Sequence, residues 1–174
     1  SRAELARRMA VPRSALTLIV RALVADGVVD ESAEPSPSCG PGRRPTLLQV
    51  CTGGRLVLAA DVRPRTTTVA IADLAGRVLA QDAFDTPRNV DDFVGRITER
   101  SATMRARVQR EHGEGCVAVA VVLPGVVDAR TGRVVHAPRL GWRDVPLASA
   151  LAARLALPAH VENAPVACAL ARLW

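Results

Sequence analysis

Three strand-like segments follow one another with very little chain between them: Leu56 to Val62, Thr67 to Asp73 and Arg77 to Phe84, with turns at Pro64 and Gly76. Behind them, Val90 to His112 places Phe93, Ile97, Met104 and Val108 at helical spacing, which predicts one long amphipathic helix. Val117 to Leu123 is then an unbroken apolar run, the pattern of a buried central strand. Val134-Val135 reads as a short pairing segment, 146–155 as a helix, 159–161 as a strand and 165–173 as a helix. Three adjacent strands followed by strand and helix in alternation predict a mixed sheet covered by helices, an α/β fold.

The first fifty residues have another rhythm. Ser1 is a good N-cap with Glu4 three residues on, as in a capping box. Leu5, Ala6 and Met9 share a face of a short helix, and Ala10-Val11 breaks the pattern. Pro12 suits a first helical position. Ala15, Leu16, Ile19, Val20 and Leu23 then carry a second helix to about Asp26, with Gly27 as its stop. Two short helices joined by a tight turn match a helix-turn-helix. Its second helix offers Arg13, Ser14, Thr17 and Arg21 on the polar side, where such motifs meet base edges and phosphates. An ordinary helical hairpin with a polar outer face is the alternative. Val28-Val29, a Pro-, Gly- and Ser-rich stretch over 34–45, and a returning strand over 46–50 complete the order of a winged helix-turn-helix. Arg43 and Arg44 stand where a wing touches phosphate or enters a minor groove. A plain proline-rich linker is the other reading of that stretch.

Charge agrees with a polyanionic partner. The 174 residues carry a net +6, all 23 basic residues are arginine, and residues 1–25 hold five of them against Glu4 alone. Hydrophobic residues make up 49%, enough for a core and too many for general disorder. No apolar run reaches the roughly 18–20 residues of a membrane helix, and Ser1-Arg2-Ala3-Glu4 does not open a signal peptide. Cys39, Cys51, Cys116 and Cys168 are far apart. This argues against a zinc knuckle or a dense disulfide framework and for free thiols in a cytoplasmic protein.

The runs SRAELARRMAVPRSALTLIVRALVADGVV and GRRPTLLQV, then AADVRPRTTTVAIADLAGRVLA, VVLPGVVDARTGRVVHAPRLGWRDVPL and LPAHVENAP, resemble the ROK family (repressors, open reading frames and sugar kinases). The likeness is to its winged-helix regulators and covers essentially the whole chain; Leu140 to Leu147 is its most specific part. The resemblance implies a winged helix-turn-helix over 1–50, with one further helix expected ahead of it. It implies the first lobe of an actin-like (ribonuclease-H-like) ATPase fold over 54–174, with a second lobe expected beyond. The family's structural zinc motif would lie in that second lobe, so no cofactor is expected in this chain.

Kinases of the family resemble Asp-x-Gly-Gly-Thr after the first strand, where glycines let backbone N–H groups approach phosphate. Here the run is Asp61-Val62-Arg63-Pro64-Arg65-Thr66: both glycines are replaced, and Pro64 has no N–H. The kinases also resemble Glu-Asn-Asp near the end of the lobe, with the Asp as general base. Here it is Glu162-Asn163-Ala164-Pro165, and alanine cannot accept a proton. By the same resemblance, Pro124 and Gly125 would wall a sugar pocket and Asn163 would hydrogen-bond a sugar hydroxyl. Alternatively, Pro124-Gly125 is a turn after a core strand, and Asn163 caps the following helix. The expectation is a sugar-responsive transcriptional repressor, not an enzyme. It would bind a double-stranded DNA operator as a homodimer or higher oligomer when full length, with a sugar or sugar derivative as effector and no membrane partner. A glucokinase-like sugar kinase and an inactive truncated product are the rivals.

Overall fold

The computed structural model describes residues 2–32, 47–51, 55–113 and 115–173. The chain divides into two compact units, Ser1–Thr52 and Gly53–Trp174. In the first unit, helix α1 (Arg2–Arg8) and helix α2 (Arg13–Ala25) precede an antiparallel pair of strands, β1 (Val29–Ser32) and β2 (Leu47–Val50). Ala10 takes a left-handed φ of 53° in the turn between the helices. Pro12 caps α2 at φ −59° and ψ 142°. It stands one place ahead of the helical position that its ring geometry predicts, because its extended ψ turns the chain into α2. The other end follows the expectation. Gly27, at φ 65°, donates to the Val24 carbonyl at 3.0 Å, and the Val28 N–H reaches Leu23 O at 2.8 Å. This Schellman pair satisfies carbonyls the helix leaves open.

The core of this unit is small: Ala6, Leu16 and Val20, with Val11 and Leu48 packed on them. Leu5, Met9 and Ile19, expected inside, are 37%, 54% and 48% exposed. Two short helices and a hairpin have too little surface to cover both flanks of either helix. The Ser1 cap and the predicted wing tip with Arg43 and Arg44 lie outside the described residues.

The second unit opens with the antiparallel strands β3 (Leu56–Val62), β4 (Thr66–Asp73) and β5 (Val78–Asp85). Helix α3 (Val90–His112) leads to β6 (Cys116–Leu123), which returns parallel to β3. After a small antiparallel sheet of β7 (Val126–Asp128), β8 (Arg133–Ala137) and β9 (Trp142–Val145), helix α4 (Leu147–Leu155) leads to β10 (Ala159–Asn163), parallel to β6. Helix α5 (Ala164–Leu173) follows. The main sheet runs β10-β6-β3-β4-β5, with β3 at its centre.

α3 starts on Asn89, whose side chain accepts from Asp91 N and Asp92 N, and stops at Gly113, φ 71°. Its Phe93, Ile97, Met104 and Val108 are buried, as their spacing predicts, against Leu56, Leu58, Ala60 and Val62, which alternate along β3. Trp142 closes this core. Its ring meets Phe93 edge-on at 4.8 Å and its Nε1 donates to Arg88 O at 2.8 Å, which meets the need of a buried indole for a partner.

The opposite sheet face is only half-buried: Val57, Ala59 and Asp61 on β3, Thr68 and Ala70 on β4, Ala118, Ala120 and Val122 on β6. The apolar run of β6 therefore fills one buried face and one half-covered face, and Val117 is 45% exposed. β7 and β9 are strands the pattern did not predict. One is three residues long and the other carries Arg143 and Asp144, so neither has a periodicity to read.

Candidate functional site

In the first unit, Arg13, Ser14, Thr17 and Arg21 stand on one face of α2, at the three- and four-residue steps that stack side chains. Buried Leu16 and Val20 hold the adjoining face down. Arg13, Ser14 and Arg21 are exposed, while the Thr17 hydroxyl donates back to Arg13 O at 2.8 Å. Leu18 is 68% exposed beside them. Its exposure has no signal in a periodicity that treats every leucine as core.

In the second unit, the loop at the end of β3 is a tight hairpin. The Arg63 N–H donates to Thr66 O at 3.2 Å, and Pro64 has no N–H to offer. Thr86, just past β5, clamps this loop. Its hydroxyl donates to Arg63 O at 2.7 Å and its N–H to Arg65 O at 2.9 Å. With that hydroxyl proton committed, Thr67 must be the donor in the 2.8 Å contact between the two threonine hydroxyls. Arg63 turns back on Asp61, with Nε and Nη2 each 2.9 Å from Oδ2.

Between this loop, the half-buried sheet face and α5 lies a cleft of about 500 Å³, lined by residues including Asp61, Arg63, Pro124, Arg139, Ala164 and Cys168. A second cleft of about 630 Å³ shares Arg63, Pro64 and Arg139 and adds Arg65, Thr66 and Thr68. Pro124 and Ala164 thus reach the first cleft. Gly125 and Asn163 are instead tied to each other: Asn163 Nδ2 donates to Gly125 O, and Asn163 Oδ1 accepts from Val166 N at 3.4 Å. Asn163 is the N-cap of α5. Gly125 has a reason of its own, since a Cβ there would stand 2.8 Å from His136 O and from Ala137 Cβ. Glu162 folds its carboxylate onto Asn163 N at 2.7 Å. α5 begins at Ala164, with Pro165 in its first turn.

Two titrating groups elsewhere are displaced. The Thr131 hydroxyl, 2.8 Å from Asp128 Oδ2, leads the hydrogen bonds that hold the Asp128 carboxyl below its ordinary range. Burial pushes the Cys116 thiol up, against the opposing charge of Arg105. Both are local features of turns and packing. Among the described residues, no cluster of His, Cys, Asp and Glu has the makings of a metal site, and no helix is long and apolar enough to cross a membrane.

A family model described as the ROK family matches residues 58–174. The chain belongs to the ROK family. A transcriptional regulator of Mycobacterium tuberculosis is 34% identical over 144 residues, which cover 83% of this chain and 32% of that protein. A xylose repressor of Caldicellulosiruptor bescii is 23% identical, covering 100% of this chain and 43% of its own length. A glucokinase of Halalkalibacterium halodurans is 29% identical over 123 residues, 69% of this chain and 37% of the enzyme. The chain thus spans from about a third to less than half of the length of the curated relatives it matches. Among solved structures, a ROK family transcriptional regulator described as a homologue of the E. coli MLC protein superposes with a TM-score of 0.72. It is 21% identical and covers 94% of this chain and 41% of that one. The mixed α/β architecture is therefore one this family uses.

Proposed function

We propose that the protein is a DNA-binding transcriptional regulator, a repressor whose effector is a sugar or sugar derivative. Its first unit works as a winged helix-turn-helix. Its second is the first lobe of an actin-like (ribonuclease-H-like) domain that binds ligand without phosphoryl transfer, the second lobe being supplied in the full-length protein. The observation that carries this reading is the extent of the likenesses. The match to the mycobacterial regulator is longer than the second unit, and the match to the xylose repressor runs the length of the chain. The glucokinase match covers 69% of the chain, about the length of that unit alone. Two chemical features agree with it: Ala164 supplies no base, and in the loop after β3 the Arg63 N–H is spent on Thr66 O while Pro64 has none.

In this reading Arg13, Ser14, Thr17 and Arg21 face the major groove, Leu18 lies against a thymine methyl, and Arg43 and Arg44 reach phosphate from the wing. An effector that favours the DNA-incompetent state shifts the population and frees the operator. Pro124, Gly125 and Asn163 shape and brace the ligand cleft. The test is selection from a random duplex library followed by binding titrations across salt. A palindromic site bound by a dimer is expected. Arg13→Ala and Arg21→Ala should each weaken binding and flatten the log–log salt slope by about 1. No enriched sequence, or unchanged slopes in both variants, would sink the proposal.

A further inference from the structure

We propose that the Arg63-Pro64-Arg65 loop, together with Arg139, is a recognition site for an oxyanion. The effector is then an acidic sugar derivative, a phosphate ester or a sugar acid, and not a neutral sugar. This deepens the proposed function and rests on its reading that the second unit binds a sugar.

The first support is charge. Asp61 is the one acid among the residues lining the two clefts, against Arg63, Arg65 and Arg139. Asp61 is already engaged by Arg63. Some arginines elsewhere are paired with acids, as Arg77 is with Asp73 and Arg133 with Asp144. Arg65 and Arg139 line one cleft and make no side-chain ion pair or hydrogen bond among the described residues. Grouping like charges without a counter-ion is unfavourable, and an anion between them removes the conflict.

The second support is rigidity. Thr86 ties down the carbonyls of both Arg63 and Arg65, and the hairpin closes on itself between Arg63 and Thr66. The guanidinium stems therefore spring from a fixed base, which lowers the cost of holding them around a ligand. The third is chemistry. With the Arg63 N–H spent on Thr66 O and Pro64 without one, side-chain N–H groups are the loop's main offer to an anion. A guanidinium presents those as a planar fork matched to carboxylate and phosphate oxygens. A cleft of about 500 Å³ is of the size that takes a monosaccharide derivative, and Pro124 with Ala167 and Ala171 gives it apolar wall for the ring.

The test is calorimetry on the full-length protein with four probes: inorganic phosphate, glucose 6-phosphate, glucuronate and glucose. An acidic sugar is expected to bind about tenfold or more tightly than glucose, and less tightly as salt rises. Which of the two acidic sugars binds decides between ester and carboxylate. Arg65→Ala and Arg139→Ala, both at exposed positions that leave melting unchanged, should each cost about tenfold for the acidic ligand and nothing for glucose. Thr86→Val should weaken the acidic ligand too, and Thr86→Ser, which keeps the hydroxyl, should restore it. Glucose binding as tightly as the acids would overturn the anion site while leaving a sugar-responsive regulator standing. Acidic ligands that bind equally well to Arg65→Ala and Arg139→Ala would overturn it, as would no binding by any probe. Loss of duplex DNA binding in those variants with no small-ligand effect would also overturn it. The library selection still decides the regulator reading in every one of these cases.

Discussion

Replacing Asn163 by alanine should destabilise the second unit by about 2 kcal/mol. Two separate contacts go. The Oδ1 acceptor for Val166 N is the N-cap of α5. Such caps are worth about 0.5–2 kcal/mol, and at 3.4 Å this one belongs at the lower end. The Nδ2 donor to Gly125 O ties the end of β6 to the start of α5. Its loss removes about 1 kcal/mol and leaves a half-buried carbonyl short of a partner. For a folded unit of this size, about 2 kcal/mol corresponds to a fall in Tm of roughly 6–10 °C. Two further variants separate the terms. Asn163→Ser keeps a capping oxygen but lacks the reach to Gly125, so about half the loss should remain. Asn163→Asp keeps the cap, and its charge suits a helix N-terminus. It also sets a carboxylate oxygen against the Gly125 carbonyl, so it should be no better than serine. Urea and thermal unfolding followed by circular dichroism give the values, with an unchanged m-value as the check on two-state behaviour. An alanine variant melting within about 1 °C of the parent would refute the brace and leave ligand binding as the sole role of this side chain.

Two other outcomes follow from the same geometry. Ala164→Asp should fold, since an acid in the first turn of α5 meets the positive end of the helix, yet show no sugar-dependent ATP consumption, because a general base alone does not restore a phosphate cradle; turnover above background in a coupled assay would return the sugar kinase to first place. Gly132→Ala should cost about 2–4 kcal/mol in urea unfolding, from its φ of 65° and from a Cβ placed 2.2 Å from Ala148 Cβ. Gly76→Ala, at φ 80° with open space around it, should cost only about 1–2 kcal/mol, and equal losses at the two sites would remove the contact with Ala148 from the account.

Much of the fold is legible in local pattern. The helix over Val90–His112, the three strands before it and the Gly27 stop all follow from periodicity and from glycine's tolerance of positive φ. The reading is weaker where an element has no repeat to show. β7 and β9 are too short or too charged to stand out, and the exposure of Leu5, Met9 and Ile19 depends on how much surface surrounds α1 and α2, which a helical repeat does not encode.

What the sequence by itself determined is chemical inventory: no base at Ala164, no glycine and no proline N–H in the loop after β3, and an arginine excess. Those statements need only residue identity. What the tertiary structure decided is company. It brings Arg139, from the turn after β8, to the loop that carries Arg63 and Arg65. It sets Thr86 under both carbonyls of that loop, and it turns the Asn163 amide onto Gly125. None of these pairings is local in the chain. Each follows from where the sheet order puts strand ends that are distant in sequence, and periodicity, which reports only on a residue's near neighbours, carries no information about them.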